Sequence, residues 1–228
     1  LPQVRSGGKE MITVSYERTG NGIYISHTDV LRCLNKTFRR AGIDVKYSNG
    51  FNKHMALKMS QPLPLGIASM EEWVTADVDG IGADEFMIKF NENCPPFLKC
   101  TAAYATNENP SIAAKVAASE YKIKCAEAEK LNEKIADIKN NYIVKYDKNG
   151  EHFEKDVSEL IFDMKTEEGF ISCVLAFGNV NLRTDILTRQ FNEDFGFGIG
   201  LTDIMRTRQF LYENNLLIPA KKYMEELK

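Results

Sequence analysis

The chain has 228 residues, 43% hydrophobic and 27% charged, with a formal net charge of −3, enough for one large domain or two small ones around a real core. An isoelectric point near 5.8 excludes a surface built to coat nucleic acid generally, though not a local basic site. No apolar run approaches the ~18 residues of a membrane-spanning helix. The first ten residues, LPQVRSGGKE, lack the apolar centre of a signal peptide and read as a loose tail or appended remnant. A cytoplasmic protein without a membrane partner is the expectation. The five cysteines are odd in number and scattered, so a disulfide framework and a structural zinc are both unexpected. Each reads as a small core residue.

In chain order, Met11 to Glu17 alternates as a half-buried strand does. Asn21-Gly22 marks a turn, and Ser26 with Asp29 three residues on is a shortened capping box that opens a helix. Val30, Leu31, Leu34, Phe38 and Ala41 give that helix its buried stripe, and Gly42 ends it. A strand over 43–47 is expected next, then a Ser48-Asn49-Gly50 turn and an extended stretch to Ser60. Two prolines in Gln61-Pro62-Leu63-Pro64-Leu65-Gly66 remove backbone donors, so this segment cannot be a central strand. Strand 69–78, helix 84–93 and strand 97–105 complete a β-α-β-β-α-β order.

Asn107 to Ser111 carries the strongest boundary signal. Beyond it the expected order is strand 119–126, helix 127–139, a hairpin of 142–146 and 151–157 across Asp147-Lys148-Asn149-Gly150, strands 160–164 and 170–177, helix 181–191 and strand 204–212. The predicted fold class is therefore α+β: two ferredoxin-like (βαββαβ-type) halves, with antiparallel sheets and helices packed on one face. Residues 11–106 form the first domain, 107–118 a linker and 119–228 the second.

Charge is unevenly spread. Residues 21–66 hold seven Lys/Arg against two acids, a local +5, and residues 67–100 hold a local −5. Arg32, Lys36, Arg39 and Arg40 share one side of the first helix. Such a stripe is commonly a solvated face. Here Tyr47, Phe51, Asn52, Lys53 and Lys58 follow, placing aromatics among cations as single-stranded RNA binding requires. His27 at a helix start and His54 after a Gly-Phe-Asn turn are catalytic candidates, with Glu72 as a third. The alternative is that each histidine only bonds its own turn. His27, Asp29, His54 and Glu72 are ligand types, but their spacing fixes no metal geometry, so no metal and no cofactor are assigned. Gly196 to Gly200 contains G-x-G-x-G after a helix, the wrong context for a dinucleotide or phosphate loop.

Several motifs occur together and in order: Ser-His-Thr-Asp-Val-Leu-Arg at 26–32, Arg-Arg-Ala-Gly at 39–42, Tyr-Ser-Asn-Gly-Phe-Asn-Lys-His at 47–54, Pro-Leu-Pro-Leu-Gly at 62–66 and S-x-x-E at 69–72. Weaker features follow at Glu120-Tyr121, Lys155-Asp156-Val157 and Arg206-Thr207. The set resembles the radical SAM-linked (radical SAM-associated) bacterial protein family, a domain of unknown function. Thr28 stands where that family has Leu, and Lys53 and Met55 stand where it has prolines around the histidine. The resemblance implies a partner in trans, a separate radical SAM protein, and a setting of RNA-processing and ribosomal genes. The chain itself lacks the C-x-x-x-C-x-x-C pattern that would hold a radical SAM cluster. The expected function is a non-catalytic adaptor binding RNA or a ribosomal particle. An RNA-cleaving or transfer enzyme using His27 and His54, or a protein-interaction module only, are the alternatives.

Overall fold

A computed structural model describes residues 10–148, 151–214 and 216–227. The first half runs β1 (Glu10–Arg18), α1 (His27–Arg40), β2 (Leu57–Met59), β3 (Ala68–Val78), α2 (Ala83–Asn93) and β4 (Leu98–Thr106). The second runs α3 (Ile112–Lys115), β5 (Val116–Lys124), α4 (Ile135–Asn140), β6 (Ile143–Lys148), β7 (Glu151–Asp156), β8 (Ile161–Glu167), β9 (Phe170–Ala176), α5 (Thr184–Phe195), β10 (Ile204–Glu213), β11 (Leu216–Pro219) and α6 (Ala220–Glu226).

This is a mixed fold built on one large, mostly antiparallel sheet rather than on two sheets. Its order is β4-β1-β3-β10-β5-β9-β8, with β2 on β3 and β11 on β10, nine strands in all. The four strands β4-β1-β3-β2 and the four strands β10-β5-β9-β8 follow the same permutation of their order in the chain. The two sets are joined by the parallel pairing of β3 with β10, at Ala68 with Met205 and Ser69 with Arg206. The β6-β7 hairpin forms a separate two-stranded ribbon, and the Asn149-Gly150 of its expected turn lies outside the described residues.

Strand alternation assigns the faces. On one face Ile12, Val14, Val74, Ala76 and Val78 meet Leu34, Phe38, Phe86 and Phe90 of α1 and α2. Phe38 sits 5.6 Å from Phe86 and 5.9 Å from Phe90 between ring centroids, and each such buried ring contributes about 1.5–3 kcal/mol. The second core is built by Ile123, Ile171, Cys173 and Leu175 under Leu187 and Phe191 of α5. The opposite face is not bare, contrary to the one-faced arrangement expected. Trp73, Tyr104 and Leu211 are covered there by Ile112 of α3 and by Ala220 and Met224 of α6.

Local signals act where expected at the helix ends. Ser26 Oγ accepts the Asp29 amide at 3.1 Å and donates to Asp29 Oδ2 at 2.7 Å, satisfying the first turn of α1. At its other end Gly42 takes a φ of +63°, and the Ile43 amide returns to the Phe38 carbonyl at 3.0 Å, a Schellman stop. Other expectations shift. Residues 43–47 make only isolated bridges, Val45 to Val78 and Tyr47 to Met55, so Leu57–Met59 is the true second strand. The helix expected over 127–139 breaks into a 3-10 turn (Ala128–Leu131) and α4, with neither start capped by a side chain. Segment 107–118 holds α3 and the first residues of β5, with Ile112 and Val116 buried.

Candidate functional site

The residues expected to bind nucleic acid divide into two groups. Lys36, Arg39, Tyr47, Phe51, Asn52 and Lys53 are all exposed. Arg39 Nη2 donates to Tyr47 Oη at 3.4 Å, which ties the end of α1 to the 47–54 arc. That arc is closed by the Ser48 amide donating to the His54 carbonyl at 2.8 Å. Phe51 at its tip is fully exposed (104%), and Tyr47 is 45% exposed. An apolar ring held entirely in water on a closed turn does no folding work that burial explains.

The remaining cations are engaged or turned away. Arg32 pairs with Asp29 at 2.9 Å, and Ser26 and Arg32 together hold the Asp29 carboxyl below its usual range. Arg40 Nη2 donates to the Asn93 carbonyl at the end of α2. Lys46 bridges Asp77 and Asp79, each at 3.1 Å, so part of the acidic segment does neutralise the basic one. Lys58 pairs with Thr75 between Leu57 and Met59. Those two neighbours join the core under α1 and α2, so alternation sends Lys58 to the opposite face.

The two histidines are not brought together. His27 is the first residue of α1, while His54 belongs to the arc held by Arg39 near the helix end. His27 and Arg39 are twelve positions apart along the helix, about 18 Å at 1.5 Å per residue. His54 Nδ1 lies 3.0 Å from Ser48 Oγ and 3.2 Å from the Asn52 carbonyl, so its contacts are those of its own turn. Among the described residues no three His, Cys, Asp or Glu side chains form a metal-ligating group.

Glu72 belongs to neither histidine. It stands in a buried polar row crossing four adjacent strands on the α1–α2 face: Tyr16 of β1, Glu72 of β3, Arg206 of β10 and Tyr121 of β5. Arg206 Nη1 donates to Glu72 Oε1 at 2.7 Å, and its Nε and Nη2 reach Tyr121 Oη at 3.4 and 3.2 Å. The Phe177 ring lies 4.6 Å from the same guanidinium. Burial works against the Arg206 charge, but Glu72 and Tyr121 outweigh it, and its pKa moves up. Arg18, also buried, feels Glu72 from β1, and its Nε finds no partner among the described residues. Burial, reinforced by Glu72, pushes the Tyr16 hydroxyl far up, so it stays a neutral donor. Of this row only Glu72 is a catalytic candidate from the sequence, although Tyr121 and Arg206 fall within its weaker motifs. The usable signal was Arg206, a cation at an inward position of a strand, among residues already noted at Glu120-Tyr121 and Arg206-Thr207.

None of the curated proteins matches the chain. Among solved structures, a chain of the "Crystal Structure of a Cbf5-Nop10-Gar1 Complex" is similar at 8% identity and a TM-score of 0.47, the alignment covering 87% of this chain and 48% of that one. This chain thus spans about half the length of that neighbour. A family profile matches residues 11–188, from β1 into α5. The chain belongs to that family, described as "Uncharacterized protein conserved in bacteria (DUF2344)".

Proposed function

We propose that this chain is a non-catalytic adaptor that binds RNA or a ribonucleoprotein through the end of α1 and the 47–54 arc and serves a separate radical SAM enzyme. The observation that carries the binding reading is Phe51, fully exposed on a closed turn beside Tyr47 and the unburied cations Lys36, Arg39 and Lys53. Bases stack on such rings while lysine and arginine take the phosphates. The radical SAM partner rests on the ordered motif resemblance and on a chain that has no cluster-binding cysteine triad of its own. We read the two strand sets as ferredoxin-like halves, a reading supported by their shared permutation. Joint catalysis by His27 and His54 is not favoured, because one helix length lies between them.

The test is a gel shift of single-stranded and structured RNAs across a salt series, with the protein and its Lys36→Glu/Arg39→Glu variant. Binding that weakens with salt and weakens further in the variant supports the reading. Equal, negligible binding of every RNA by both proteins removes it.

A further inference from the structure

A cleft of about 310 Å³ opens where the two halves of the sheet meet, beside the buried row. Pro62, Leu63 and Phe177 form its apolar wall, and Tyr121, Thr184 and Arg206 its polar one. The proline-rich segment that could not serve as a strand therefore serves as a wall, its rings holding a fixed shape.

Several features of the polar wall point the same way. Thr184 is 2% exposed, and its Oγ1 has no hydrogen-bond partner among the described residues. Of the buried polar atoms in this state among the described residues, Thr184 Oγ1 is the one that belongs to a residue lining the cleft, and such a group has its hydrogen-bonding capacity left to use. Thr184 is also the first residue of the twelve-residue α5, whose Arg183 N-cap makes no side-chain capping bond, so the positive end of the helix meets the cleft uncapped. Asp185, the nearby acid, is held by Arg183 at 3.0 and 2.5 Å. Arg206 commits three of its N–H groups to Tyr121 and Glu72, and a guanidinium has five. Arg18, which does not line the cleft, lies buried behind it in the field of Glu72, so two guanidiniums face one carboxylate there. The cleft thus combines positive potential and free donors with an apolar wall.

We propose that this cleft binds a small organic anion with a flat body, its phosphate or carboxylate held by Thr184, the start of α5 and Arg206, and its flat part against Phe177 and Pro62. The volume lies at the small end of ligand pockets, which suits a nucleotide or aromatic acid. This site is separate from the surface proposed for RNA, which lies at the far end of α1.

Calorimetric titration and thermal shift of the whole chain test it with adenosine monophosphate and benzoate as probes, and with adenosine and inorganic phosphate as the two halves of the first. Saturable binding of adenosine monophosphate or benzoate, weakened about tenfold in Thr184→Val without loss of melting temperature, is the expected result. Leu63→Trp, which fills the cleft, abolishes binding. Absence of saturable binding by both anions in the millimolar range overturns the proposal. So does binding that Thr184→Val leaves unchanged. Loss of the RNA gel shift alone bears on the other surface and not on this one.

Discussion

Arg206 and Glu72, 134 positions apart in the chain, meet at 2.7 Å with both side chains shielded from water. Removing one partner leaves the other charge buried without compensation, which is more damaging than losing the pair. Glu72→Gln should therefore lower unfolding free energy by about 3–5 kcal/mol. The double variant Glu72→Leu/Arg206→Met should lose clearly less than the sum of the singles. Urea denaturation of the parent, Glu72→Gln, Glu72→Leu, Arg206→Met and the double variant checks both statements. A Glu72→Gln protein as stable as the parent contradicts the buried pairing.

Phe51 is expected to behave in the opposite way. Its ring touches solvent on all sides, so Phe51→Ala should change stability by no more than about 0.5 kcal/mol. If bases stack there, the same change weakens single-stranded RNA binding by about 1–3 kcal/mol. A fluorescence anisotropy titration beside a melting curve separates the two effects. Equal affinity in parent and variant would count against stacking at this ring.

Glu71 lies on the face of the sheet under α3 and α6, where its Oε1 accepts from Trp73 Nε1 at 3.2 Å and from the Gln209 amide at 3.1 Å. Burial pushes its carboxyl above the ordinary 4.5, in excess of what the Gln209 amide returns. The folded state therefore holds this proton more tightly than the unfolded chain does. Stability from that proton is present below pH 4.5 and is lost as pH rises through the folded value. Glu71→Gln keeps an acceptor without the charge. Its stability relative to the parent should rise from pH 4 toward pH 8, read by denaturant unfolding at each pH. A constant difference would show that the carboxyl titrates normally.

Gly66 closes the proline-rich wall. Its amide donates to the Ile23 carbonyl at 2.8 Å, its φ is +89°, and an added Cβ would lie 2.9 Å from Leu201 Cβ. Gly66→Ala combines backbone strain with overpacking and should cost about 1–3 kcal/mol. Gly50→Ala provides the comparison, since its φ of +147° is also unusual but nothing lies near its Cβ. Melting temperatures of both variants check this, and equal losses would assign the effect to the backbone alone.

Much of the first half was legible because its signals are local. Ser26 with Asp29, the stripe from Val30 to Phe38 and the stop at Gly42 each act within one or two turns. The 143–148 and 151–156 hairpin and the strands after it were legible for the same reason. The 43–47 segment differs from the expected strand because only Val45 and Tyr47 form bridges, to Val78 and Met55, and no continuous ladder follows. The second layer was invisible for a related reason. Trp73 and Tyr104 look like ordinary strand residues until Met224, over a hundred positions on, covers them. Among the candidate site residues, the aromatic and cationic ones were found by composition, but their division between exposed, paired and opposite-facing groups depends on register. Arg206 and Tyr121 needed the sheet itself to be placed beside Glu72.

The position of β10 imposes an order of events on biosynthesis. This strand lies in the middle of the sheet, between β3 and β5, yet the ribosome supplies it only after both neighbours have emerged. Until residues 204–213 are available, β5 has one unpaired edge and β3 is paired on that side only by β2 at Val74 to Ala76, and unpaired edges are templates for wrong association. A polypeptide stopped at residue 188, where the family profile ends, would leave the β5 edge unpaired. The sheet is therefore closed across its centre only when residues 204–213 are in place.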